Sequence, residues 1–382
     1  MFLTYDRVFP LGATEGDLLQ IVRPRPGLPF TPAVLGDRTR LLWTTFTPHQ
    51  IDLDVHDPAA RGHLSRVLCR LAECGVTTVR LDAVGYAVKT AGTSCFLTPE
   101  TFAFIDDLAA EAHGLGLEVL AEVHAPHRQA VDTAAHVDRI YDFALGPLVL
   151  HAIFTGDGRP LRNWLSARPA NTVTVLDTHD GLGMVDAGPG GDGGGGMLST
   201  AQLEAVVDRI SVNSGGTSVA SRVRSGVYQV SCTAYDALGR VDRDYLLARL
   251  LQLFVPGVPQ IYYVGLLAGR TVALASPRRD AREINRRRYD LDDVLRDLRR
   301  PVVRALLQLI RIRNSHRAFA GRFEVTDAGA GELELNWHHG EARAGLRVRL
   351  PSPTATGVSW QLSYSTGGGR TVLTDTDLLA AS

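Results

Sequence analysis

Along the middle of the chain short apolar runs alternate with amphipathic stretches, and each change of period marks a change of element. Leu64, Val67, Leu68 and Leu71 recur at helical spacing and predict a helix over 58–74, stopped by Gly75. A strand over 76–83 follows. Thr77, Val79 and Leu81 form its buried row, while Arg80 and Asp82 share the opposite face. Thr98-Pro99-Glu100-Thr101 reads as an N-cap with proline at the first helical position, opening a helix that runs to Gly114. A strand over 117–123 carries Glu122 near its end. A helix near 127–135, a strand over 139–143 and a helix near 146–155 continue the pattern. The next strand, 171–177, ends in Thr178-His179-Asp180-Gly181. Later come a helix over 241–254, a Pro256-Gly257 turn, a strand over 260–264 and a long helix over 300–318.

Other stretches break the alternation. Residues 1–56 are crowded with Pro10, Pro24, Pro26, Pro29 and Pro32, which predicts a loop-rich segment with one strand-like run at 39–45. Residues 182–239 contain a glycine tract at 188–196, a helix near 200–211 and a Ser/Gly/Arg-rich loop up to Gln229. An arginine-rich loop spans 270–289. From 319 onward, short alternating strands at 323–325, 333–337, 344–350 and 359–364 predict a small β-sandwich.

Strand–helix alternation implies a parallel sheet with helices outside it. In a (β/α)8 barrel the reacting groups sit at the carboxyl ends of the strands, and Asp82, Glu122 and Asp180 each occupy such an end. The repeat supplies strands at 76–83, 117–123, 139–143, 171–177 and 260–264, where a closed barrel needs about eight. The expected fold class is α/β: a partial (β/α)8 TIM barrel lacking about its first three strands, with inserted loop-rich subdomains and a small C-terminal β domain. Its expected divisions are 1–56, the remainder of a loop-rich insert; 57–181, barrel; 182–239, an insert at the barrel rim; 240–318, barrel; and 319–382, the β domain. Such a remnant would leave strand edges and apolar surface open, so the 382-residue chain is expected to be unstable or inactive.

Composition narrows the function. A net charge of −1 offers no footprint for nucleic acid and no polybasic membrane anchor. No apolar run approaches the roughly 18 residues that span a bilayer, and the N-terminus lacks a basic region followed by an apolar core. Cys69, Cys74, Cys95 and Cys232 form no C-x-x-C pair and no metal-ligand spacing. A soluble cytoplasmic protein is expected. Lys89 is the only lysine, which reads as part of a bias toward arginine, alanine and glycine.

Two carboxylates flanking a glycosidic bond perform glycoside chemistry, one as nucleophile and one as acid. The acid needs a drier or more negative setting than its partner. Arg80, two residues before Asp82 on the same strand face, would favour an ionised Asp82. Glu122 has no basic neighbour at that spacing, although His124 lies two residues on. Asp180, beside His179, would bind sugar hydroxyls and stabilise developing positive charge. The same residues admit plainer readings: a structural ion pair, helix N-caps, a hydrogen-bonded structural histidine, or a hydrated cation site. Asp142 reads as structural.

The order and content of Val79-Arg80-Leu81-Asp82-Ala83-Val84-Gly85-Tyr86, Ala91-Gly92-Thr93-Ser94-Cys95-Phe96, Ala121-Glu122-Val123-His124 and Val175-Leu176-Asp177-Thr178-His179-Asp180-Gly181 resemble the motifs of the α-amylase superfamily. More narrowly they resemble its sucrose-phosphorylase-like subfamily. Segments 23–30, 46–50, 138–145, 256–263 and 284–286 support the likeness, which covers about 1–318 of the chain. The resemblance implies Asp82 as nucleophile, Glu122 as general acid/base and Asp180 as transition-state stabiliser. It implies that Arg80 and His179 contact the nucleophile and bound glucose, that Phe46, Tyr86 and His124 shape the site, and that Arg25, Gln50, Tyr228, Gln229 and Arg282 take part in binding. It implies phosphorolysis of sucrose by double displacement, with no metal or organic cofactor, in a monomer or homodimer. It also implies that the chain starts inside the loop-rich insert of the family's barrel. One departure concerns the acceptor: Gly226 stands where the family carries an acidic residue, with Arg222 and Arg224 nearby, which suits an anionic acceptor such as a sugar phosphate or glycerate. A related disaccharide phosphorylase, an α-glucoside hydrolase using water, and an inactive remnant stand as the alternatives.

Overall fold

The computed structural model describes residues 1–190, 195–223, 226–272, 281–352, 357–366 and 369–380. Parts of the glycine tract, of the Ser/Gly/Arg-rich loop (Arg224 included) and of the arginine-rich loop lie outside the described residues. The chain forms two compact units, Met1–Tyr141 with Arg222–Arg224, and Asp142–Ser221 with Ser225–Ser382.

The first unit begins with more order than its prolines imply. Short helices Tyr5–Val8 and Glu15–Gln20 precede a hairpin of β1 (Phe30–Leu35) and β2 (Arg38–Trp43), in register from Phe30 opposite Trp43 to Leu35 opposite Arg38. Pro32 is tolerated because, among the described residues, β1 pairs with β2 alone and its outer edge needs no donor. Trp43 is buried, with Phe30 edge-on to it at 5.0 Å. Helix Pro58–Glu73 starts where the Asp57 carboxylate accepts from the N–H groups of Ala59 and Ala60, and leads to β3 (Thr78–Leu81). Helix Pro99–Gly114, capped by Thr98 as its sequence predicts, leads to β4 (Glu118–Ala121). Helix His127–Ala134 leads to β5 (Arg139–Asp142). These strands run parallel, with Val79 opposite Val119 and Ala121 opposite Ile140. Their buried side chains pack with Ile105 and Leu108 of helix Pro99–Gly114, so the carboxyl ends of β3 and β4 stand side by side.

In the second unit, helices Leu145–Thr155 and Arg159–Ala167 precede β6 (Thr172–Thr174) and β7 (Leu182–Gly183). Helix Thr200–Asn213, opened by a Ser199/Gln202 capping box, is followed by β8 (Val219–Val223) and β9 (Gly226–Ser231). β7 pairs antiparallel with β9. Helix Asp242–Phe254, buried on every side from Tyr245 onward, leads to β10 (Val258–Pro259), which pairs parallel with β6. Helices Leu291–Asp297 and Pro301–Ser315 follow. Asp142 confirms its structural reading, accepting from Trp164 Nε1 at 2.9 Å and from Arg168 Nε at 2.8 Å.

Two expectations are corrected. The strand expected at 260–264 is β10 instead: Gln260 adds one hydrogen bond to Thr174 O at 3.0 Å, and the chain then turns into helix Tyr263–Leu266. Burial of Val264 and the bond from Tyr245 Oη to Gly265 O outweigh the strand propensity of the Tyr-Tyr-Val run. The C-terminal part is not a sandwich but one antiparallel sheet, β11 (Arg322–Thr326), β12 (Glu332–His339), β13 (Ala342–Arg349), β14 (Ser359–Thr366) and β15 (Gly369–Thr374), in that order. Its alternation supplies a single apolar face, with Leu333, Leu335 and Trp337 buried. Phe319, 5.8 Å from the Trp337 ring, and Arg313 over the same ring cover that face, so no second sheet is required.

Candidate active site

In the first unit Arg80 holds both acids. Its Nη1 lies 2.7 Å from Asp82 Oδ1 and its Nη2 2.8 Å from Glu122 Oε2. Parallel pairing puts Arg80 opposite Leu120, two residues before Glu122, which explains how one guanidinium reaches both strand ends. The two carboxylates live in different surroundings. The Glu122 side chain is 11% exposed, whereas the Asp82 side chain is 70% exposed. Burial pushes the Glu122 carboxyl above its ordinary value, and Asp82 reinforces this by hydrogen bond and charge; His124 and Arg80 pull it down without cancelling the rise. Between the acids Ala83 adopts left-handed backbone (φ 48°), a strain of about 1–3 kcal/mol, and its N–H donates to Glu122 Oε2 at 3.3 Å.

Beyond Ala83 the chain makes a single 3-10 turn, Val84–Tyr86. The Tyr86 ring is buried between Phe96, at 4.4 Å, and Phe46, edge-on at 5.6 Å. Gly85 is required here, because a Cβ would stand 2.7 Å from Phe96 Cε2. Thus Arg80, Asp82, Glu122, Phe46 and Tyr86 assemble, with half-buried His124 acting on Glu122. Gln50 closes its own turn by accepting from Thr47 Oγ1 at 2.9 Å. Arg25 lies exposed in a bend; its neighbour Arg23 is the residue that ties this segment together, donating to Thr45 O at 3.0 Å and Phe46 O at 3.2 Å.

In the second unit Asp180 sits in a tight turn, where Thr178 and Gly181 exchange backbone hydrogen bonds. Gly181 has φ 110°, and a Cβ on it would stand 2.4 Å from Val230 O. Arg286 Nη2 lies 2.6 Å from Asp180 Oδ1, Arg282 Nη1 3.2 Å and His179 Nε2 3.6 Å. Burial works to raise the Asp180 carboxyl, but His179, Arg282 and Arg286 outweigh it and hold the group below its ordinary value. Gln229 Nε2 donates to Asp180 O at 2.5 Å, and Asn285 Nδ2 to His179 O at 2.9 Å. Hence His179, Asp180, Gln229 and Arg282 come together. Tyr228 joins through its backbone, accepting from Met184 N at 3.0 Å.

The base of this turn carries a buried ion pair that the sequence reading passed over. Arg249 Nη2 meets Asp177 Oδ1 at 2.6 Å, and Asp177 Oδ2 accepts from Ala234 N at 3.1 Å. Arg249 also donates to Tyr245 Oη and to Gln252 Oε1, each at 2.9 Å. Arg286, to which the sequence pattern assigns no part, stands closer to Asp180 than Arg282 does.

No family model matches the chain. A sucrose phosphorylase of Agrobacterium vitis is 47% identical over 365 residues, which cover 93% of this chain and 74% of that one. The crystal structure of sucrose 6F-phosphate phosphorylase from Thermoanaerobacter thermosaccharolyticum superposes with a TM-score of 0.87 at 34% identity, covering 98% of this chain and 77% of that one. An α-amylase from H. orenii, 13% identical with a TM-score of 0.58, covers 91% of this chain and 66% of its own and shares the fold alone. With an α-amylase-type α/β fold, a C-terminal β-sheet and nearly half its residues in common with such a relative, the chain belongs to the sucrose phosphorylase family.

Proposed function

We propose that the chain is a glucosyl-transferring phosphorylase that converts sucrose and inorganic phosphate to α-glucose 1-phosphate and fructose. The observation that carries the reading is the unequal treatment of two acids on one arginine: Glu122 buried and pushed up, Asp82 exposed. Groups whose surroundings differ in this way divide acid and nucleophile roles between them. Oxygens held by neighbouring nitrogens of one guanidinium suit the roughly 5–5.5 Å separation of retaining enzymes better than the roughly 6.5–9.5 Å of inverting ones.

Asp82 attacks the anomeric carbon as its bond to the fructosyl oxygen breaks, and Glu122 gives its proton to that oxygen. Phosphate then attacks the glucosyl–Asp82 ester, Glu122 takes the phosphate proton, and the Asp82 carboxylate is released. Asp180, held ionised by Arg282 and Arg286, stabilises positive charge on the ring. His179 binds sugar, and the Tyr86–Phe46 pair packs against its apolar face. In this reading the parallel strands belong to a (β/α)8 barrel. Four free cysteines fit a cytoplasmic setting, and the working form is a monomer or homodimer.

The test is sucrose cleavage with and without phosphate. Phosphate-dependent release of α-glucose 1-phosphate, abolished by Asp82→Asn and Glu122→Gln, supports the proposal; phosphate-independent glucose release would make the chain a hydrolase. A second reading, with a phosphorylated or carboxylated acceptor, is favoured by Gly226, which opens β9 where the sequence predicts loop, and by the sucrose 6F-phosphate phosphorylase likeness. Glucose 1-phosphate consumption with fructose, fructose 6-phosphate, glycerol and glycerate decides between them.

A further inference from the structure

Among 382 residues there is one lysine, and it is buried: Lys89 is 1% exposed. Arginine supplies the other 39 basic side chains of the 40. A long, strongly hydrated ammonium is costly to bury, so its surroundings require an explanation. Lys89 Nζ lies 2.9 Å from Asp52 Oδ2 and donates to Tyr86 O, and it stands 5.7 Å from both the Trp43 and Tyr86 rings. Asp52 in turn accepts from Thr45 N at 2.9 Å and Thr45 Oγ1 at 2.6 Å, immediately before Phe46. The two aromatic residues of the wall, Phe46 and Tyr86, are therefore tied to opposite ends of one ion pair.

The loop that Lys89 anchors is strained. Ala83, Cys95 and Leu97 all hold left-handed backbone (φ 48°, 54° and 48°) without being glycine. Such residues persist where surrounding contacts over-determine them. Backbone and hydroxyl bonds fix the far end: Leu97 N donates to Gly85 O at 2.9 Å and Cys95 N to Thr93 Oγ1 at 3.1 Å. At the near end, following Asp82, the charged fastening is Lys89. Burial draws the ammonium below its ordinary value, and Asp52 opposes that change.

We propose that Lys89, through its ion pair with Asp52, is a positioning residue of the glucose site: it fixes Tyr86 against Phe46 and so sets the aromatic wall beside Asp82. The inference rests on reading Asp82 and Glu122 as the catalytic pair.

The experiment compares the full chain with Lys89→Met, Lys89→Arg, Asp52→Asn and the Lys89→Met/Asp52→Asn double variant. Kinetic constants for sucrose and phosphate, thermal unfolding, and labelling by an amine-directed acylating reagent are measured on each. Since the sequence has no other lysine, side-chain amine labelling reads Lys89 alone; it is expected to be slow in the native chain and at least tenfold faster in Asp52→Asn. In Lys89→Met and Asp52→Asn the KM for sucrose is expected to rise about tenfold, equivalent to about 1.4 kcal/mol of lost sugar binding. The KM for phosphate, which meets an already seated glucosyl group, should stay within about twofold. Lys89→Arg should recover most of the loss, and the double variant should be no worse than either single one. Lower unfolding temperatures with an unchanged KM for sucrose would make Lys89 a structural fastening only and overturn the proposal. If Lys89→Met does not fold, Asp52→Asn and Lys89→Arg decide the same question. Failure of the catalytic reading is separable: Asp82→Asn would then retain phosphorolysis, while the Lys89 labelling result would stand.

Discussion

Replacing Arg80 with methionine separates the two acids from their common charge, and the consequence has a definite sign. Burial and Asp82 raise the Glu122 carboxyl, and Arg80 is one of two groups that pull it back. With Arg80 gone the carboxyl rises further. At 2.8 Å and an effective dielectric of about 20, the Arg80–Glu122 attraction is about 6 kcal/mol before screening. The guanidinium is about one-third exposed, so solvent removes much of that. What survives screening still favours the ionised form, so removing Arg80 moves the Glu122 carboxyl further up. Because Glu122 acts as the acid in the first step, the alkaline limb of kcat/KM for sucrose should move to higher pH. The plateau should fall about a hundredfold or more, because Asp82 loses its 2.7 Å anchor. The assay is glucose 1-phosphate release from sucrose across a pH series, with circular dichroism confirming the fold. Arg80→Lys, which keeps a charge but not the fork, should lie between the two. An alkaline limb that stays in place or moves down in a folded Arg80→Met protein would refute the electrostatic account.

Three further outcomes follow from the same geometry. Arg249→Met leaves Asp177 buried without its cation and should cost about 3–5 kcal/mol in denaturant unfolding, whereas Asp177→Leu/Arg249→Met should recover much of it; a loss under about 1 kcal/mol for the single variant would contradict the pairing. Asp180 is held below its ordinary value, so its contribution to stability is present above about pH 3.8 and is lost as pH falls through the lower folded value; the stability gap between wild type and Asp180→Asn should therefore shrink in strong acid and be constant near neutrality. Gly181→Ala places a Cβ 2.4 Å from Val230 O on a backbone of φ 110°, and should cost about 1–3 kcal/mol and most of the activity; near-native melting and turnover would show that the turn is not constrained as described.

What the sequence disclosed and what it hid divide along the range of the interactions. Asp82, Glu122 and Asp180 could be picked out because each is a carboxylate at the end of an apolar strand, a signal carried within eight residues. The Arg80–Asp82 pair was equally local. That Arg80 also binds Glu122 was not, since it requires β3 and β4 to run parallel in one particular register, with Arg80 opposite Leu120. The same limit applies to Arg249. On a helix buried all round, periodicity cannot tell an arginine facing solvent from one facing Asp177, 72 residues earlier in the chain. Helix Arg159–Ala167 is a different case: its Leu161, Trp164 and Leu165 stripe is present in the sequence, yet no element is assigned from the sequence between 155 and 171. Lys89 shows the limit most clearly. As one letter in a composition it reads as bias. Only the pairing with Asp52, which closes the loop-rich segment onto the turn after Asp82, turns that letter into a question about how the sugar site keeps its shape.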